Sequence, residues 1–278
     1  MAKIEPRNFH RLAVAVRDVP EAADFMVRMF GALPIGGTES LMQNSPGRDV
    51  GNLAGTDTRM LWVGGYPMIL LSGGTVSRFL ERHGPGVQSW AWEVDDNWSV
   101  EHIVRDQGIE VVSVMIMGRF FFMHPKQTHG LLMEWCDGKI PRNPEADKPG
   151  NGLVPTTGLA WTSGVVADAD AFAEWMSGFV EVNEVTTNPK GPAELERTID
   201  LAAGDITIRL ITPLSPESRY HSALEEGPRV HSFAMRVPDL DAALGKLEAE
   251  GIPTIHRDGD LAATDPAATR GIKIEWTV

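Results

Sequence analysis

The chain has one cysteine, Cys136, and two tyrosines in 278 residues. A single thiol excludes an internal disulfide and any thiolate metal cluster built by one chain, and it suits the reducing cytoplasm, the expected compartment. Positive charge is also short, with 25 Lys and Arg against 38 Asp and Glu, a formal charge of -13. The excess acid is spread along the chain rather than gathered in tails, which argues against nucleic acid or an anionic membrane as a partner. Long apolar runs are missing: Arg11 and Arg17 interrupt the first apolar stretch, so neither a membrane span nor a cleaved leader is expected. Hydrophobic residues still make up 42% of the chain, enough for packed cores, and the length suits two domains.

One phrase recurs four times: an apolar strand, an Asp, an amphipathic stretch, then Gly. The copies are RLAVAVRDVPEAADFMVRMFG from Arg11, SWAWEVDDNWSVEHIVRDQG from Ser89, WTSGVVADADAFAEWMSG from Trp161 and SFAMRVPDLDAALGKLEAEG from Ser232. Asp18, Asp96, Asp168 and Asp239 are placed to cap helices, and Gly31, Gly108, Gly178 and Gly251 to end them. Further strands are expected at Arg59 to Val63, Met68 to Leu71 and Ile206 to Ile211. A second phrase closes the even-numbered copies, MHPKQTHGLLMEW from Met123 and TDPAATRGIKIEW from Thr264. Each puts Pro in a turn, Gly at strand entry and Glu-Trp late in the strand. The halves are therefore copies, 1–140 and 152–278, joined by a Pro-, Gly- and charge-rich linker over 141–151.

Strand, Asp, helix, Gly and a last strand ending in an apolar residue followed by Glu resembles the vicinal oxygen chelate superfamily. That superfamily includes glyoxalase I, methylmalonyl-CoA epimerase, type I extradiol dioxygenases and metal-free bleomycin-binding proteins. FFFMHPKQTHGLLMEW is most similar to the epimerase branch, in which a His-Pro-Lys turn before the final strand is common. The resemblance implies an α+β fold of four βαβββ modules, paired into two glyoxalase-like domains with cupped mixed sheets. It also implies a divalent metal at the floor of a cup, held by one side chain from each first strand and one from each last strand.

Counting seven residues back from each capping Asp puts the first-strand positions at Arg11, Ser89, Trp161 and Ser232. The last-strand positions fall near Ile69 and on Glu134, Arg209 and Glu275. Few of these are metal ligands, and a guanidinium repels a divalent cation while satisfying a buried carboxylate, so an Arg-Glu pair is expected in place of metal. No cofactor is expected on this count. The competing set is His10, Glu134 and His129 around a divalent metal, which needs a bulge in the first strand because His10 and Arg11 otherwise face opposite ways. His231, just before Ser232, stands in the same offset place and reads as a packed or surface histidine.

The chemistry implied is proton transfer beside a carbonyl, by an isomerase, epimerase or lyase acting on an apolar or aromatic oxo acid, ketone or thioester. Glu134 is the expected base and Arg11 the oxyanion partner, with Ser89 beside them. Phe120, Phe122, Trp161, Arg209, Ser232 and Glu275 are the expected substrate contacts. Two alternatives stay open: a metal-free protein that binds a small molecule without changing it, and a metal-dependent enzyme such as an extradiol dioxygenase. A homodimer is compatible with either. Trp90, Trp92, Trp135 and Trp276 fall opposite the counted floor and read as core, Cys136 as filler, and His124 and His129 as residues of a solvated turn or of the cup mouth.

Overall fold

The computed structural model describes residues 3–35, 55–112, 120–187 and 193–278. The first module lays down β1 (Asn8–Ala15), α1 (Val19–Phe30), β2 (Leu33–Pro34), β3 (Thr56–Val63) and β4 (Tyr66–Gly73), followed by the short α2 (Ser77–His83). The second has β5 (Gly86–Glu93), α3 (Asn97–Asp106), β6 (Phe120–Met123) and β7 (Leu132–Cys136). The third has β8 (Gly158–Val165), α4 (Ala169–Phe179), β9 (Glu184–Thr187), β10 (Glu196–Ala203) and β11 (Ile206–Pro213), then the short α5 (His221–Glu225). The fourth has β12 (Arg229–Arg236), α6 (Leu240–Ala249), β13 (Thr254–Asp258), β14 (Leu261–Thr264) and β15 (Ile274–Thr277). The architecture is α+β with mixed sheets, and no helix among the described residues is long and apolar enough to cross a membrane.

Each long helix starts at the Asp the repeat marks. Asp18, Asp96, Asp168 and Asp239 accept from the backbone N–H of Glu21, Trp98, Ala171 and Ala242, satisfying donors the first helical turn leaves bare. Gly31 then takes the left-handed turn that closes α1, at φ 66°. Gly178 does not end α4. The helix runs through it to Phe179 and stops at extended Val180, because the backbone of Ile4 occupies its last turn: Ile4 N–H donates to the Phe179 carbonyl and Glu181 N–H to the Ile4 carbonyl, at 2.7 and 2.8 Å.

The chain forms two compact units. The first unit holds Met1–His10, Ser89–Ile140 and Trp161–His231. Within it β5 and β7 run parallel with β6 antiparallel beyond them, and β8 and β11 run parallel with β10 and β9 continuing antiparallel. Its core is aromatic: Trp90, Trp92 and Trp135 are all 0% exposed, and Trp90 Nε1 donates to Thr162 Oγ1 at 2.9 Å. A Cβ on Gly164 would stand 2.8 Å from the Trp90 ring, so glycine is what lets the indole lie against β8.

The second unit holds Arg11–Gln88, Pro141–Ala160 and Ser232–Val278. Here β1 pairs with β4 in parallel, β12 pairs with β15 in parallel, and β3 and β14 add antiparallel neighbours. Phe30 of α1 stacks on Trp276 at 5.7 Å and meets Phe233 edge-on at 6.5 Å. The residues just after the expected linker pack against α1: Leu153 and Val154 donate backbone N–H groups to Arg28 and Met29 carbonyls, and a Cβ on Gly152 would stand 2.4 Å from the Gly31 nitrogen.

Candidate functional site

Two faces of the first unit collect the sequence-derived candidates. On the first, strand registry sets Ala91 beside Glu134 and Phe122 across from Glu134, so those side chains point the same way. Ser89 and Cys136 share that face by alternation, as does Phe120, whose ring meets Phe122 edge-on at 6.0 Å. Glu134 is 1% exposed and Ser89 is also buried. The opposite face of the same strands carries Trp90, Trp92, Met133 and Trp135, all in the core.

The second face belongs to β8, β10 and β11. Arg209 stands in register with Ser163 on the parallel neighbour and with Asp200 on the antiparallel one, and Thr186 continues the row on β9. For Arg209 the expected Glu partner is corrected: the carboxylate holding it is Asp200, which takes Nε at 2.8 Å and Nη2 at 2.7 Å in a two-pronged bond. Trp161 covers the guanidinium with its ring, 3.7 Å from centroid to Cζ. The pair is almost closed from solvent, with side chains 5% and 15% exposed for Arg209 and Asp200. Ser163 is buried beside it, its Oγ without a hydrogen-bond partner. One step along the strands, Ile211 and Val165 sit in register and pack with Tyr220.

The remaining candidates lie elsewhere. Arg11 and the Ile69 position belong to the second unit, where Ala13, two residues beyond Arg11, pairs with Ile69. Ser232 and Glu275 are in that unit too, Glu275 in register with Ala234. β1 is continuous from Asn8 to Ala15, so His10 and Arg11 present opposite faces. His231 is buried and its ring meets Tyr220 at 5.2 Å.

The His-Pro turn is more ordered than a solvated loop. His124 Nδ1 accepts the Lys126 N–H at 3.1 Å, the part Asp265 plays toward Ala267 at 2.9 Å in the second half. His129 is left-handed, φ 53°, and lays its ring 5.4 Å from both Phe172 and Trp175 of α4. That burial holds its imidazole below the ordinary histidine value, against the opposing pull of Asp168.

Among the described residues, no three His, Cys, Asp or Glu side chains gather where a metal ion would sit. The Arg209 face does not fit a divalent cation. A guanidinium stands at the counted ligand position, an indole at the other, and each Asp200 oxygen already accepts from Arg209.

No family model matches the sequence, and no curated protein does. Solved structures do match. A triple mutant of 4-hydroxymandelate synthase from Streptomyces coelicolor superposes with a TM-score of 0.65 at 17% identity, covering 98% of this chain and 92% of that one. A fusion of a xylose isomerase-like TIM barrel with a 4-hydroxyphenylpyruvate dioxygenase gives 0.59 at 13% identity, over 99% of this chain and 49% of that one. The chain therefore shares its fold with these two chains, the fold that the sequence resemblance implies. Methylmalonyl-CoA epimerase from Mycobacterium tuberculosis is 26% identical over 44% of this chain and 87% of its own, with a TM-score of 0.40. Within that fold, Glu134 and Arg209 occupy last strands of the second and third modules, and Asp200 is the residue the count missed.

Proposed function

We propose that the protein is a small-molecule enzyme that moves a proton beside a carbonyl, of the isomerase, epimerase or lyase kind. The observation that carries the reading is Glu134, a carboxylate 1% exposed and flanked on its own face by Ser89, Phe120 and Phe122. A carboxylate shut from bulk water and facing aromatic rings suits abstraction of a carbon-bound proton from an apolar or aromatic oxo acid, ketone or thioester. Ser89 supplies a hydroxyl to the developing oxyanion. The reading keeps the two halves, 1–140 and 152–278, as copies of one domain and the cytoplasm as compartment, the latter supported by the lone, buried Cys136. It also treats the superfamily metal site as lost, supported by the guanidinium and indole on the Arg209 face.

The test is hydrogen exchange. Phenylpyruvate and phenylacetone are incubated in D2O with a trace of protein, and loss of the proton next to the carbonyl is followed by NMR. Wild type is expected to exchange at least one of them above the buffer rate, and Glu134→Gln to lose about 100-fold while keeping its near-ultraviolet circular dichroism. Exchange undiminished in Glu134→Gln removes the base. Protein purified without chelator is expected to carry well under one equivalent of divalent metal, and EDTA to leave exchange unchanged; near-stoichiometric metal whose removal stops exchange overturns that part.

The rival is a metal-free binding protein, and the closed Trp161–Arg209–Asp200 stack favours it, being built to hold rather than to turn over. A binder is stabilised by its ligand and returns it unexchanged.

A further inference from the structure

We infer that the Arg209 face of the first unit is a second ligand site, distinct from the Glu134 face, and that it takes the carbonyl oxygen of a neutral compound with an apolar body. The argument starts from unused donors. Nε and Nη2 of Arg209 are spent on Asp200, whereas Nη1 makes no hydrogen bond among the described residues. Ser163 Oγ, in register with Arg209 on the adjacent strand, is buried at 0% exposure and also makes none. A hydroxyl closed to bulk water is destabilising unless something accepts from it. The two residues are in register on neighbouring strands, which lie about 5 Å apart, and present their side chains to one face, so we infer a single oxygen that accepts from both. An acceptor on this face would satisfy both donors.

Charge decides which acceptor. Arg209 and Asp200 already neutralise each other in a nearly closed place. A carboxylate would add an unbalanced negative charge there, in a chain that already carries -13. A ketone, ester or thioester oxygen adds none. The body of the ligand is read from the next row, where Ile211 and Val165 lie two residues further along and pack with Tyr220. Two residues of strand span about 6.6 Å, the reach of a phenyl ring beyond its carbonyl. Indole on one side and this apolar patch on the other leave the carbonyl as the polar end.

Acetophenone and benzoate share a ring and differ at the oxygen-bearing group, so they separate the classes. Titration of the full chain by calorimetry and saturation-transfer NMR is expected to show acetophenone binding and benzoate binding at least tenfold more weakly. Ser163→Ala is expected to weaken acetophenone about fivefold or more while leaving the melting temperature unchanged or raised, since the lost hydroxyl had no partner to forfeit. Arg209→Lys is expected to weaken it as well, because one ammonium cannot both hold Asp200 in the two-pronged manner and offer a free N–H at the same angle. Glu134→Gln is expected to leave acetophenone affinity unchanged, so failure of the exchange reading and failure of this one are distinguishable; affinity lost in Glu134→Gln and kept in Ser163→Ala and Arg209→Lys assigns the ketone to the Glu134 face and overturns the inference. Absence of acetophenone binding overturns the inference, as does benzoate binding tighter than acetophenone. Unchanged affinity in Ser163→Ala overturns it too, and assigns Oγ to an interior water only.

Discussion

His129 and Arg270 sit at the same point of the repeated turn, and both adopt left-handed backbone that a side chain disfavours, at φ 53° and 60°. Each is preceded by a buried threonine that ties the turn together: Thr128 Oγ1 donates to Leu131 and Thr269 Oγ1 to Ile272, the latter at 2.6 Å. Each is rewarded by an external contact, His129 on Phe172 and Trp175, Arg270 on Glu21 at 3.0 Å. The histidine contact has a pH signature. Its folded pKa lies below the ordinary 6.5, so near and below that pH the unfolded chain binds more protons than the folded one. Stability from this residue therefore falls as the medium is acidified through that range and is whole above it. Asn tolerates left-handed backbone and does not titrate, so the melting temperature of His129→Asn is expected to fall less than that of wild type between about pH 7.5 and about pH 5.5. Parallel falls in the two proteins would detach the effect from His129.

At the scale of elements, what the sequence discloses is what local chemistry decides. The four capping Asp residues, their helices and the strands around Glu134 follow from spacing alone, because an N-cap answers only to the turn it precedes. Substituting Asp239 by Ala is expected to cost about 1 kcal/mol, read as a shift in urea midpoint without a change in slope; an unshifted midpoint would make that cap ornamental. Gly178 misleads because the stop of α4 is imposed by Ile4, far away in the chain. Asp200 was overlooked although a signal existed. The tight turn at Gly204 and Asp205 pairs Ala203 with Ile206, and the same registry carried three residues further pairs Asp200 with Arg209. Alternation identifies faces, but only hairpin counting identifies partners.

At the scale of the molecule, the sequence copies and the compact units divide the chain differently, each unit taking residues from both halves. In the first unit Ile4 meets Val180 and Trp90 meets Thr162; in the second Val154 meets Met29. Fragments 1–140 and 152–278 expressed separately are therefore expected to lack fixed side-chain packing, and together to recover dispersed amide spectra. A fully dispersed spectrum from either fragment alone would refute this. Gly152→Ala places a methyl against the Gly31 nitrogen and the Met29 carbonyl, backbone that cannot swing aside, and is expected to destabilise by about 1–3 kcal/mol in thermal melts.

The tryptophan cluster of the first unit carries an optical consequence. Trp90 meets Trp92 at 6.1 Å and 73°, and Trp92 meets Trp135 at 5.5 Å and 31°, while among the described residues no two indoles of the second unit touch. Transition dipoles this close and held askew share their excitation, and a chiral arrangement of them splits one absorption band into paired lobes of opposite sign in the far-ultraviolet dichroism. Those lobes belong to one unit alone, so a melt followed at their wavelength reports its integrity while the amide signal averages over the whole chain.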